Sequence, residues 1–291
     1  MLKKFSFKNW TVIGSSIASD QTTLLIKEFS LCFDMGHTFP ACVKKAKTVA
    51  ISHGHQDHIG SIHLHIRKRL RNNLPGCTYI LPKICEEPFR YMYSSVESLD
   101  EGRDTVQVRT DLSPIAIKYA DDSLSHQLNN SSFLKCFDMI HKIPSKGYTI
   151  FETRRKLKPE YRSLSIIDIE KVKKESNVEI EEIMQVPLIS FSGDTTIEGV
   201  LRCQSMLESK LLILECTYID DKVSQQECKN RGHVHLKDIV ENWNHFQNEH
   251  ILLVHLSPRY TKVDVEKARS TLPFNISQKI TFFDLCQTYN E

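Results

Sequence analysis

The sequence predicts an α/β protein and, within that class, an αββα sandwich: two sheets facing each other with helices outside. Three observations carry this expectation. Short apolar runs dominate the first part of the chain, and strand-like and helix-like patterns alternate through the last part. Between them, His53-Gly54-His55-Gln56-Asp57-His58 packs four potential metal ligands into six residues directly after a short apolar run. Periodicity alone would equally suit a doubly wound α/β fold, and the metal cluster separates the two.

The elements follow in order. Residues 9–13, 22–28 and 30–34 read as strands separated by polar or Gly/Ser turns, and 48–52 is another strand with the histidine cluster at its end. Residues 59–71 carry helical spacing at Ile59, Ile62, Ile66 and Leu70, and stop near Pro75-Gly76. A strand is expected at 77–81 and a helix at 83–98, with Pro88 as an irregularity inside it. Strand-like runs follow at 105–108, 115–119, 133–139 and 148–152. From 153 to 182 the texture changes to charge-rich and aromatic-poor. The remainder alternates: strands at 186–191, 211–215, 251–256 and 279–283, helices at 198–208, 236–247 and 263–270. A single domain over residues 1–291, with a charged insertion at about 153–182, accommodates the whole pattern.

Composition limits the function classes. The chain has 291 residues, 40% hydrophobic and 25% charged, enough to bury a full core. A net charge of +2 is too small to indicate nucleic acid by itself, so any basic surface must be local. Nine scattered cysteines, odd in number and never spaced Cys-x-x-Cys, argue against a disulfide framework and a zinc ribbon. They point to a reducing, intracellular setting, with nucleus, cytoplasm and organelle left open. No apolar run approaches the ~20 residues of a membrane span, and the first residues lack a secretory pattern.

Imidazole and carboxylate are donors that suit zinc, and a strand end holds such a loop rigidly. His53 and His55 can share one metal while Asp57 and His58 turn towards a second. Four ligands do not complete two sites, so others must come from distant strand ends. Asp194 in Ser192-Gly193-Asp194-Thr195 could bridge two ions or could cap the following helix. His255 ends the run 251–254, and His141 precedes Ile143-Pro144-Ser145. Each could instead be an ordinary structural histidine. His37, His63, His65, His126, His245 and His250 lack such settings.

The order of these segments carries a resemblance. The cluster at 53–58, His141 in His-x-Ile-Pro-Ser-x-Gly-Tyr, Ser-Gly-Asp-Thr at 192–195 and His255 in His-Leu-Ser-Pro-Arg-Tyr resemble the tRNase Z (ribonuclease Z) family. The short eukaryotic form, within the metallo-β-lactamase superfamily, is the nearest likeness. Phe33-Asp34-Met35-Gly36, Leu214-Glu215-Cys216-Thr217, Gly232-His233-Val234-His235 and Lys156-Leu157-Lys158-Pro159-Glu160-Tyr161 match further family segments. The likeness runs from about residue 13 to 283. It implies a metallo-β-lactamase-type sandwich and two Zn2+ per chain, with Mn2+ an alternative. His53, His55 and His141 would hold one ion, Asp57, His58 and His255 the other, and Asp194 would bridge. Asp34 would orient a ligand histidine. Asp57, Glu215 and His233 would be the catalytic residues, the last two as a proton-donating pair. The implied reaction is removal of the 3′ trailer from precursor tRNA by a metal-activated hydroxide, in a homodimer.

The likeness is incomplete at the arm. Residues 153–182 contain no Gly-Pro tip, but offer Arg154, Arg155, Lys156, Lys158 and Arg162, then Lys171, Lys173 and Lys174. With Arg259 these are the candidate RNA contacts. The interleaved Glu160, Asp168, Glu170, Glu175, Glu179, Glu181 and Glu182 equally suit a solvated charged face. A second basic cluster, Arg67, Lys68, Arg69 and Arg71, sits at a helix end, where cations also suit the dipole. Two other readings stay open: a two-metal hydrolase of another phosphodiester, a lactam or a thioester, and a non-catalytic RNA-binding scaffold.

Overall fold

Strands buried on both faces organise the chain. Leu211 and Ile213 pack between the two sheets, whereas Leu212 and Leu214, one residue on, face a layer of helices. Leu24 and Ile26 against Leu25, and Leu252 and Val254 against Ile251 and Leu253, repeat the division. Side chains on a strand alternate in direction, so continuous apolar runs require cover on both sides. The result is three apolar layers: one between the sheets and one under the helices on each outer face. The computed structural model describes residues 1–121, 123–165, 167, 169, 172 and 179–289.

The first sheet contains β1 (Lys3–Phe7), β2 (Trp10–Ile17), β3 (Gln21–Ile26), β4 (Leu31–Phe33), β5 (Thr48–Ala50), β6 (Thr78–Pro82) and β7 (Ala116–Ala120). The second contains β8 (His126–Gln127), β9 (Ser132–Met139), β10 (Ser145–Leu157), β11 (Glu181–Phe191), β12 (Leu211–Glu215), β13 (His250–Val254) and β14 (Ile280–Phe282). The last strand, β15 (Gln287–Thr288), returns to the first sheet beside β1. The orders are β15-β1-β2-β3-β4-β5-β6-β7 and β14-β13-β12-β11-β10-β9-β8. Each sheet is antiparallel on one side and parallel on the other, with β4 to β7 and β11 to β14 forming the parallel halves.

Phe33 stacks on Phe191 at 4.9 Å across the interface between the sheets. The buried Tyr148 hydroxyl of β10 donates to the Ile51 carbonyl (2.6 Å), tying the second sheet to the chain just before the histidine cluster. An isolated pairing of Ile17 with Leu256 joins the sheets again near His255.

Most expected elements are present, and the differences have local causes. Residues 105–108 form no strand: Val106 and Val108 stay exposed, and β-propensity without burial does not make a strand. Pro88 causes no irregularity, because the helix is Glu86–Asp100 and its first turn lacks intrahelical N–H bonds anyway. The helix expected at 59–71 is two, Gln56–Ile59 and Ile62–Arg71. That expected at 198–208 breaks into Ile197–Leu201 and Gln204–Glu208 because Cys203 is extended. The one expected at 236–247 ends at Glu241, followed by a single 3-10 turn. Strands β1 and β15 and helices Pro40–Lys45 and Gln225–Asn230 had no expected counterpart.

The arm begins as a β-ribbon rather than a charged coil. β9 pairs with β10 only as far as Glu152, whereas β10 and β11 stay paired out to Leu157 and Glu181. Arg154 and Arg155 form ion pairs with Glu152 and Glu181, and Arg162 with Glu182 (2.9 Å), so these cations are partly neutralised in place. Asp168, Glu170, Lys171, Lys173, Lys174 and Glu175 lie outside the described residues. The second basic cluster is largely structural. Arg67 pairs with Asp100, Lys68 donates to Thr38, and the buried Arg69 donates to the Val43 and Pro75 carbonyls. Among the described residues no helix is long and apolar enough to cross a membrane.

Candidate metal centre

Five strand ends deliver the candidate residues to one edge of the sandwich. His53 follows β5, His141 follows β9, Asp194 follows β11, Glu215 closes β12 and His255 follows β13. The carboxyl ends of parallel strands are a natural place for a site, since loops there can differ without disturbing the sheet. Asp57 and His58 sit on the short helix Gln56–Ile59 immediately beyond His53. Two sets of ligand atoms result, each within 4.8 Å: His53, His55, His141 and Asp194, and Asp57, His58 and His255.

Hydrogen bonds force which imidazole nitrogen faces the centre. Carboxylate and carbonyl oxygens only accept, so His58 Nδ1 must donate to Asp34 Oδ2 (2.7 Å) and His141 Nδ1 to the Gly232 carbonyl (2.8 Å). The Ser52 hydroxyl spends its one proton on Asp34 Oδ2 (3.0 Å), so it accepts from His53 Nδ1 (2.9 Å). The Thr217 hydroxyl donates to Glu215 Oε2 (2.8 Å) and therefore accepts from His255 Nδ1 (3.1 Å). All four histidines thus turn Nε2 inward as a lone pair. His53 Nε2 lies 3.0 Å and His141 Nε2 3.4 Å from His55 Nδ1, and His58 Nε2 lies 3.2 Å from His255 Nε2. The facing lone pairs of His58 and His255 repel at that distance unless a cation lies between them, and a set of imidazoles with carboxylates fits a divalent metal.

The charges agree with this fit. Burial, with the neighbouring His58, pushes His53 down to about 2, so it stays neutral. Burial likewise lowers His55 and His141 despite the attraction of Asp194. Burial also opposes a charge on His58, but Asp194 and Asp34 outweigh it and raise the pKa, so the surroundings of its inward nitrogen favour positive charge. Asp194 is buried, yet His255 and His58 hold its carboxyl well below the usual range. Its Oδ2 lies 3.4 Å from His58 Nε2 and 3.7 Å from His53 Nε2, and its Oδ1 3.5 Å from His255 Nε2. It is the carboxylate that touches both sets. It caps no helix, since the next one starts at Ile197 with Thr196 at its cap.

Local backbone strain concentrates here. Asp34, His255 and Ser19 adopt positive φ (58°, 63° and 60°), a conformation costing non-glycine residues about 1–3 kcal/mol. In return Asp34 accepts from Ser52 N (2.6 Å) as well as from His58, and Ser19 N donates to Asp57 Oδ2 (2.8 Å). Gly36 is required by proximity: a Cβ there would lie 1.8 Å from the Asp57 carbonyl. Gly232 is required twice over, with φ +82° and a would-be Cβ 2.7 Å from His141 Nδ1.

His233 and Glu215 stand beside the cluster. His233 Nδ1 donates to Glu215 Oε1 (3.0 Å), and the buried Glu215 also accepts from Thr195 N (3.0 Å). Burial alone would lower His233, but Glu215 and then Asp194 raise its pKa above the ordinary value. His233 also falls within reach of Asp194 and His255 as a third possible ligand set. The nitrogen that faces Asp194, at 3.9 Å, is the one already bonded to Glu215, which favours a proton-transfer role over ligation.

A cleft of about 470 Å³ opens onto the centre between His55, Asp57, His141, Asp194, His233 and His255. A larger cleft, about 960 Å³ and lined by Asp220, Lys237 and Asp264, shares no residue with it. The candidate RNA contacts do not converge on the centre. Arg259 packs its guanidinium 5.2 Å from the Tyr218 ring, near His233. Arg154, Arg155, Lys156 and Lys158 lie at and just past the far end of β10, roughly 30–40 Å along the strand from Ser145 at 3.3 Å per residue. Sequence reasoning missed Ser19, Ser52, Lys142, Tyr218 and Arg231. Polar residues in loops carry no periodic signal, and only Ser52 had one available, through its position beside His53.

Two relatives from Arabidopsis thaliana match nearly the whole chain. The protein named tRNase Z TRZ2, chloroplastic, is 32% identical over 284 residues, which span 96% of this chain and 76% of the relative. tRNase Z TRZ1 is 30% identical over 273 residues, spanning 93% and 94% respectively. Among solved structures, the metallo-β-lactamase fold protein YhfI from Bacillus subtilis shares the fold at 13% identity, with a TM-score of 0.55 over 96% of this chain and 91% of that one. Human tRNase Z, short form (ELAC1), does so at 15% identity, with a TM-score of 0.55 over 92% and 93%. No family model matches the sequence.

The Gly232 contact yields a prediction. Gly232→Ala should push His141 off its orienting carbonyl and weaken metal retention by about tenfold or more, as removal of such supports does elsewhere. Metal per chain after dialysis against a weak chelator measures this, and retention equal to the parent would refute the assignment of His141.

Proposed function

This chain belongs to the tRNase Z family of metal-dependent endoribonucleases that act on precursor tRNA, and from that premise we propose which bond it cuts and with which residues. The cut falls at the 3′ trailer and leaves a 3′-hydroxyl on the tRNA. The convergence of seven donor residues, with the His233–Glu215 pair beside them, is the observation that carries this reading.

The fold and the His/Asp cluster support a metal cofactor. We assign two zinc ions per chain, with manganese an alternative, because the donors are imidazole nitrogen and carboxylate oxygen only. His53, His55 and His141 would hold one, Asp57, His58 and His255 the other, and Asp194 both. Metal held there supplies Lewis acidity that activates water at neutral pH and offsets charge on the phosphoryl oxygens. Asp34, Ser52, Thr217 and the Gly232 carbonyl keep the ligand imidazoles in one tautomer and one orientation. Asp57, steadied by Ser19 N, would hold the attacking water as well as a metal. His233, kept protonated by Glu215, donates a proton to the departing ribose 3′-oxygen, which would otherwise leave as an alkoxide.

The arm ribbon suits a contact with tRNA far from the cut, since its exposed Lys156 lies at the far end of β10. Residues 1–291 then act as one domain with that insertion. A homodimer is what the family likeness implies. Light scattering at micromolar concentration should give twice the chain mass; a monomer would rule it out.

The activity is tested with a 3′-extended precursor tRNA and, separately, bis(p-nitrophenyl) phosphate. We expect one cut at the trailer junction. His233→Ala should slow it by about 10²–10⁴-fold without loss of metal, the usual worth of a general acid. Cleavage of the small ester alone would sink the tRNA reading, and metal loss in His233→Ala would reassign His233 as a ligand.

A further inference from the structure

The arm cations are too remote to hold the RNA where it is cut, yet the reaction requires the chain on either side of the scissile bond to be gripped. Two cations that no family segment drew attention to stand at the mouth of the 470 Å³ cleft: Lys142, directly after His141, and Arg231, two residues before His233. The loops carrying them meet at Gly232, whose would-be Cβ lies 3.1 Å from Lys142 N.

The two side chains are held differently. Lys142 is exposed and has no acidic partner among the described residues. Arg231 is half-buried and anchored. One guanidinium nitrogen donates to Tyr218 Oη (2.9 Å), another pairs with Glu227, and the guanidinium carbon lies 5.6 Å from the Tyr218 ring centre. The Glu227 pair and the end of helix Gln225–Asn230 account for a positive charge at 231. They do not account for a second cation lining the same cleft, nor for Arg259 against the same Tyr218 ring at 5.2 Å. Cations gathered at a cleft raise its potential for an incoming anion, and both Lys142 and Arg231 line this one.

We propose that Lys142 and Arg231 form a phosphate subsite for the nucleotide next to the scissile bond, with Tyr218 as the residue that positions Arg231. The subsite rests on the endoribonuclease reading above and deepens it: it recognises the RNA backbone, not a base. Arg231 supplies, in a preset orientation, the N–H groups that Tyr218 and Glu227 leave free, and Lys142 a mobile point charge beside it. A substrate with a single phosphate group gains nothing from it.

The test uses metal-loaded Arg231→Gln, Lys142→Gln and Tyr218→Phe on the full chain, with precursor tRNA and with bis(p-nitrophenyl) phosphate. For each of the first two we expect KM for precursor to rise about five- to tenfold with kcat changed far less. The ratio of kcat/KM for precursor to that for the ester should fall accordingly. The slope of log KM against log salt should flatten by about 0.7–0.9 per cation lost, which a merely structural defect would not produce. Tyr218→Phe should give part of the Arg231→Gln effect and add nothing to it in the double variant. Unchanged KM and salt slope in Arg231→Gln and Lys142→Gln, in a parent that cuts precursor tRNA, would overturn the subsite alone. A parent that never cuts precursor tRNA would overturn the function reading instead.

Discussion

The structure depends on a set of acceptors that compel four histidines to turn the same nitrogen inward. Asp34, the Gly232 carbonyl, and the hydroxyls of Ser52 and Thr217 each take an Nδ1 proton, leaving Nε2 of His58, His141, His53 and His255 as lone pairs around a common space. Such an arrangement is unfavourable by itself. It becomes favourable when positive charge fills it, and Asp194, touching both halves, supplies the shared negative partner.

Much of the fold serves to keep those acceptors in place. Asp34 and Ser52 sit at the ends of the adjacent strands β4 and β5, which brings the two residues into hydrogen-bonding range of each other. Tyr148 ties the second sheet to Ile51, one residue before Ser52. The strained φ of Asp34 and His255 is tolerated because the surrounding bonds over-determine it. Rigidity at the strand ends and a cleft open to solvent are compatible, since the layers between and outside the sheets bury the strands on both faces.

The parts legible in the sequence were those with a period or a dense motif. Doubly buried strands such as β12 and β13 show as unbroken apolar runs, and the cluster at 53–58 shows as a spacing. His141, Asp194 and His255 showed first as donors at strand ends that could equally be structural; their order along the chain and its family likeness joined them to the cluster, because distant strand ends have no local mark of converging. Strand β1, with two lysines in five residues, gave too little apolar signal. The break at Cys203 and the ribbon at the base of the arm depend on tertiary pairing that overrides propensity. Arg231 and Lys142 escaped notice for the simplest reason: a charged loop residue looks the same at a cleft as on a bare surface.

The central claim is that the seven donors form two metal sites sharing Asp194. Isothermal titration of zinc into chelator-stripped protein, for the parent and for Asp194→Ala, tests it most directly. The account predicts two ions per chain in the parent and weakened binding of both in the variant. One ion in the parent, or loss of a single site with the other intact, would contradict it.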